Sequence, residues 1–218
     1  MAGIAKSQAI DLSGRAGRLE ALMEAPADGN HVGGAVICHP HPLHGGTLRN
    51  KVVHTLARAF VSQGFIALRF NFRGVENSAG EFDDGVGELD DVFTAMDYLS
   101  GRFPGLPLWL GGFSFGAALA VHAAAEREVA GLVSIAPAVT RLTKILRSQP
   151  DCPWLIVQGD RDELVDADDT IAWVNQLDPG PELQIIAGAE HFFHGKLIPL
   201  REAVETFIAA RSQTPNGV

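Results

Sequence analysis

Two glycines enclose a serine in Gly112-Phe113-Ser114-Phe115-Gly116. A serine in that frame can act as a nucleophile. Its flanking glycines let the backbone turn sharply with no Cβ in the way, which leaves the hydroxyl exposed. Leu106-Pro107-Leu108-Trp109-Leu110 precedes it as an apolar strand candidate, and Ala117-Ala118-Leu119-Ala120-Val121 follows as an Ala-rich helix candidate. At a helix N-terminus the dipole and the free N–H groups favour the negative charge that develops in acyl transfer. In a chain with 24 glycines the pattern is weakly specific by itself. The strand before it and the helix after it give it weight.

Such a serine needs a base, and the base needs an acid to orient it. Gly159-Asp160-Arg161-Asp162-Glu163 follows an apolar strand candidate, and Asp162 is the expected acid, with Asp160 next. Gly188-Ala189-Glu190-His191-Phe192-Phe193-His194 follows the last strand candidate. His191, closer to the strand end, is the expected general base and His194 the runner-up. His122, on the Ala-rich helix, receives no role.

Two convergent backbone N–H groups are also required to hold an oxyanion. One falls to Phe115, the residue after the nucleophile. The other should come from His39-Pro40-His41-Pro42-Leu43-His44, where the prolines have no N–H and His41 and Leu43 remain. His39 and His44 read as structural, holding a tight loop through side-chain hydrogen bonds. Arg73 is expected to pair with an acidic neighbour. Phe115 and Phe192 either line an acyl pocket or pack in the core.

Elements that could position these residues alternate along the chain. Ser7 to Leu12 and Gly17 to Glu24 suggest a hairpin joined through Ser13-Gly14-Arg15. Strand candidates follow at His31 to His39, Phe65 to Phe70, Leu106 to Leu110, Val129 to Ala136, Trp154 to Gln158 and Leu183 to Ile186. Helical spacing marks Asn50 to Gln63, about Gly87 to Ser100, the run after Ser114, about Asp166 to Leu177 and Leu197 to Arg211. The expected fold class is α/β: a mostly parallel, eight-stranded twisted sheet with an N-terminal antiparallel hairpin and helices on both faces. Ligands gather outside the carboxyl ends of such strands, where the loaded segments fall. Between Ala136 and Trp154 only Thr140 to Arg147 could form a short helix, so no lid domain is expected.

Length and composition set the outer bounds. A chain of 218 residues suits a single domain, here residues 1–211, with a polar tail over 212–218. No apolar run approaches a membrane span, and Met1 to Lys6 lacks the apolar core of a signal peptide. A soluble cytoplasmic protein without membrane partners is the default. The net charge of −9 argues against nucleic acid. Much of the excess lies in Glu76, Glu81, Asp83, Asp84, Glu88, Asp90, Asp91 and Asp97, which read as a solvated helix start with no metal site. Cys38 and Cys152 should sit at opposite ends of the sheet as unpaired thiols.

The order Ser114, Asp162, His191 is similar to that of the α/β-hydrolases, which the chain resembles over essentially its whole length. More closely it resembles the small dienelactone-hydrolase-like group, through His39-Pro40-His41-Pro42-Leu43-His44-Gly45-Gly46 and Asn71-Phe72-Arg73-Gly74. That resemblance implies serine hydrolase chemistry of the carboxylesterase kind on small esters or related acyl compounds, with no cofactor, and its loop position favours His41 over Leu43. Two departures stand out. Glu76 occupies the place where the group usually has glycine before Asn77-Ser78, and dienelactone hydrolases themselves use a cysteine where this chain has Ser114. Thioesterase and peptidase activities stay open on the same residues. Two further readings compete: His39-x-His41 as ligands in a metal-dependent barrel, for which the chain is short, and a non-catalytic binding module.

Overall fold

Four strands in the middle of the chain are buried at every position because helices cover both their faces. The computed structural model describes residues 6–212; the first five residues and the expected tail from 213 onward lie outside the described residues. An antiparallel hairpin, β1 (Lys6–Gly14) and β2 (Gly17–Ala25), opens the fold. Then β3 (Gly33–Cys38), α1 (Lys51–Ser62), β4 (Phe65–Phe70), α2 (Val86–Arg102), β5 (Leu108–Phe113) and α3 (Phe115–Glu126) alternate. They are followed by β6 (Gly131–Ile135), α4 (Val139–Ile145), β7 (Trp154–Gly159), α5 (Ala167–Val174), β8 (Glu182–Ile186) and α6 (Leu197–Ser212). One eight-stranded sheet runs in the order β1-β2-β4-β3-β5-β6-β7-β8. β2 meets β4 antiparallel, and every pairing from β4 to β8 is parallel.

Successive side chains on a strand point to opposite faces, and the two cores follow that alternation. Val36, Leu68, Leu110, Leu132 and Ile156 join the core under α2 and α3. Their chain neighbours Ile37, Ala67, Trp109, Val133 and Leu155 join the other core, with the apolar sides of α1 and α6. Local chemistry starts the helices: Asn50 accepts the N–H of Val52 at 2.9 Å to cap α1, and Asp166 accepts that of Asp168 at 2.7 Å to cap α5.

Two expectations need correction. The strand before Ser114 does not stop at Leu110 but continues through Gly111 and Gly112, which pair with Ile37 and Cys38 of β3. Glycine here marks close approach, not a strand end: a Cβ at Gly112 would overlap the carbonyl of Gly116. The acidic stretch is not uniformly solvated either, since Glu88 and Asp91 are both fully buried. Glu88 accepts the N–H groups of Gly85 (2.7 Å) and Asp83 (2.9 Å) and so closes the start of α2. Asp91 receives the Arg73 guanidinium at 2.7 and 3.1 Å and the Arg73 N–H at 2.9 Å. Arg73 is therefore a structural pair, as expected. Both cysteines are free; burial first, then a neighbouring aspartate, raises each thiol above its ordinary range.

Glycine at the elbow is expected to be indispensable, and glycine at position 101 is not. Ala at Gly116 would place its Cβ against the His39 carbonyl, whereas nothing lies within 4 Å of a Cβ at Gly101 in α2. In urea unfolding, Gly116→Ala should lose about 3 kcal/mol, while Gly101→Ala should gain about 0.5–1 kcal/mol.

Candidate active site

Ser114 sits between β5 and α3 with φ 55° and ψ −116°, in the left-handed region that a serine rarely occupies. Its backbone is held from both sides. The Ser114 N–H donates to Ile135 O at 2.9 Å, and Ser114 O accepts from Ala118 at 3.1 Å and Ala138 at 3.3 Å. A Cβ at Gly116 would overlap the carbonyl of His39, so α3 can begin this close to the end of β3 only with glycine there. The strained turn directs the hydroxyl into a cavity of about 680 Å³ lined by His41, Ser114, Phe115, Val139, Arg141 and Leu164, among others.

Ser114 Oγ lies 3.1 Å from His191 Nε2, and His191 Nδ1 lies 2.8 Å from Asp162 Oδ2 and 3.0 Å from Oδ1. Three residues from the ends of β5, β7 and β8 thus form one hydrogen-bonded chain. Burial raises the Asp162 carboxyl, but hydrogen bonds from His191, Val165 and Leu164 outweigh it and hold the group below the usual carboxylate range. An ionised carboxylate only accepts, so Nδ1 carries the ring proton and Nε2 is left to accept from Ser114. The imidazole is buried between Phe113 (centroids 4.9 Å apart) and Phe192 (5.2 Å, nearly perpendicular). Phe115 is buried beneath the cavity, while Phe192 is partly exposed beside the histidine.

The alternatives are placed elsewhere. Asp160 accepts the Gly188 N–H at 2.6 Å and ties two loops together. His194 is exposed and lies 3.7 Å from Glu190, and His122 pairs with Glu126 at 3.0 Å. Of the two remaining N–H groups after β3, that of Leu43 turns back to His41 Nδ1 at 3.3 Å. His41 stands at the start of a 3-10 turn, Pro42–His44, with its ring 4.9 Å from Phe115 and stacked on His44 at 4.5 Å. Burial, then His44 and Arg141, keep His41 below the ordinary histidine range. Both ring nitrogens of buried His39 are engaged, by Pro40 O and the Phe72 N–H, which removes the reading of His39 as a metal ligand. Glu76, standing where the resembling group has glycine, takes a left-handed φ of 48° and is held by Arg49 (2.9 Å) and Asn71 (2.7 Å).

Three residues escape a reading of the sequence. Gln158, at the buried end of β7, donates to Asp162 Oδ2 at 3.0 Å; a polar residue closing the apolar run Trp154–Val157 was its only signal. Glu163 accepts the backbone N–H of His191 at 3.2 Å, so adjacent carboxylates hold the side chain and the main chain of one histidine. Arg141 of α4 lies over the Phe115 ring at 5.0 Å and pairs with Asp84 at 3.0 Å. Between β6 and β7, residues 136–153 contain α4 and no other helix or strand, so no lid domain covers the cavity. Among the described residues no helix is long and apolar enough to cross a membrane.

Comparison with known proteins agrees with this fold. Residues 41–150 match the family described as serine aminopeptidase, S33. An uncharacterized protein of Rickettsia prowazekii is 37% identical over 210 residues, covering 91% of this chain and 87% of that protein. A crystal structure from Xanthomonas campestris, described as an α/β serine hydrolase without lid, is 38% identical with a TM-score of 0.89. It covers 99% of this chain and 100% of its own. An α/β serine hydrolase homologue from Coxiella burnetii is 42% identical, with a TM-score of 0.87 over 91% of this chain and 96% of that one.

Acid should reveal the buried histidine of the loop. Burial lowers His39 from 6.5 to about 4, only partly offset by its hydrogen bond to Pro40. The unfolded chain therefore takes up the proton first. The contribution is complete above pH 6.5 and is lost as pH falls toward 4, by about 3 kcal/mol. Urea midpoints should decline over that window, and decline less in His39→Gln, which cannot titrate. Equal slopes in the two proteins would contradict the assignment.

Proposed function

This chain belongs to the α/β-hydrolase superfamily of serine hydrolases, and we propose that it cleaves small carboxylic esters through an acyl-enzyme on Ser114. The observation that carries the reading is the unbroken hydrogen-bonded path from Ser114 Oγ through His191 to Asp162. His191 Nε2 takes the hydroxyl proton as Oγ attacks the ester carbonyl. Asp162 holds the tautomer and stabilises the imidazolium as it forms. The N–H groups of Phe115 and His41 hold the oxyanion. His191 then returns the proton to the leaving alcohol, and water, activated by the same histidine, releases the acid. All of these groups belong to the chain, so the scheme calls for no cofactor.

Short acyl groups suit this site best. The cavity is bounded by one short helix, α4, and the loop bearing Asp162 to Val165, and Arg141, Glu163, Asp166 and Asp169 put charge in its lining. Peptide cleavage is the second reading, supported by the family description that residues 41–150 match. A thioester would meet the same nucleophile and base.

Graded p-nitrophenyl esters, matched thioesters and aminoacyl p-nitroanilides separate these readings. We expect ester turnover to dominate, to fall as the acyl chain lengthens, and to show no jump when substrate passes its solubility limit. Ser114→Ala should lower kcat by about 10⁴–10⁶ and abolish fluorophosphonate labelling. A variant within tenfold of the wild type would end the assignment of Ser114.

A further inference from the structure

His39 is fully buried at the end of β3, and its ring hydrogen-bonds to Pro40 and Phe72, outside the path from Ser114 to Asp162. Its contacts fix its protonation. Nε2 lies 3.0 Å from the Phe72 N–H, which can only donate, so Nε2 is the acceptor and the ring proton resides on Nδ1. Nδ1 lies 2.6 Å from the carbonyl oxygen of Pro40. That carbonyl belongs to the same peptide unit as the N–H of His41. A trans peptide is planar, and its C=O and N–H point in opposite directions. Gripping the oxygen therefore aims the N–H.

A second contact acts on the same carbonyl. The loop folds back so closely that a Cβ on Gly46 would overlap Pro40 O, and the Gly46 N–H donates to the next carbonyl, His41 O, at 3.1 Å. Pro40 adds a fixed φ and no donor of its own. The Pro40–His41 peptide is thus pinned by a buried imidazole on one side and by glycine backbone on the other.

We infer that His39 is a positioning residue for the oxyanion hole: its Nδ1–H orients the Pro40–His41 peptide so that the His41 N–H faces the carbonyl attacked by Ser114. This rests on the proposed acyl-transfer reading, and it gives a task to a histidine otherwise explained only by loop packing. It also separates two contacts of one ring. Nε2 ties the loop to Phe72 and serves stability; Nδ1 serves the transition state.

Two amide substitutions divide those contacts. In His39→Asn the side-chain NH₂ reaches the place of Nδ1, keeping the donor to Pro40 and losing the acceptor for Phe72. In His39→Gln the side-chain oxygen reaches the place of Nε2, keeping the tie to Phe72 and losing the donor. With a short p-nitrophenyl ester, His39→Gln should lower kcat about 10- to 100-fold with KM little changed, a fraction of what loss of a whole oxyanion donor produces. His39→Asn should keep kcat within about fivefold of the wild type despite a lower unfolding midpoint. The rate of Ser114 phosphonylation by a fluorophosphonate, which needs no knowledge of the natural substrate, should follow the same order. Rates that track stability instead, with Asn the slower enzyme, would overturn the inference, as would two variants equal to the wild type. Failure of the acyl-transfer reading shows separately, as labelling that persists in Ser114→Ala.

Discussion

The carbonyl of His39 lies where any side chain at position 116 would stand, and this close approach of two backbones governs the geometry around Ser114. β3 and β5 are neighbours in the sheet, in register from Gly34 and Leu108 to Cys38 and Gly112. Because α3 starts hard against the end of β3, the turn that joins β5 to α3 has room for one residue in an uncommon conformation. Ser114 takes it, at φ 55°. The same contact sets the start of α3 against the end of β3, from which the loop that carries Pro40 and His41 departs. Ser114 and the loop are therefore placed by one steric constraint, not by separate ones.

The acid–base side depends on hydrogen bonding more than on shape. Asp162 collects donors from His191, Leu164, Val165 and Gln158, and these keep a buried carboxylate ionised where burial alone would favour its neutral form. Glu163, the next residue, holds the main chain of His191, so the imidazole is fixed at both ends. The turn after β7 thereby fixes the turn after β8. Asp160 adds a third tie between the same two turns through Gly188.

Much of this was legible in the chain because it is written locally. A serine between glycines at a strand-to-helix junction, and an acid and a histidine each just past an apolar strand, announce themselves by type and position. The fold class followed from the alternation of strand and helix. What escaped reading depends on contacts between distant segments. Glu88 and Asp91 carry charges that composition assigns to the surface, yet one closes the start of a helix and the other chelates Arg73 across 18 residues. Gly111 and Gly112 looked like the end of a strand because propensity counts glycine as a breaker, whereas the helices packed on them require it. Gln158 resembles any polar residue at a strand end until the loop bearing Asp162 folds over it.

The short span between β6 and β7 has an implication for the fate of an acylated serine. With α4 alone in that stretch, no lid domain separates Ser114 from bulk solvent. Enzymes that hand an acyl group to a second alcohol or amine must keep water away while the acceptor docks. On the proposed acyl-enzyme reading, water is therefore the acceptor at hand. On that reading, converting this scaffold into a transferase would call for building a roof before altering any residue of the floor.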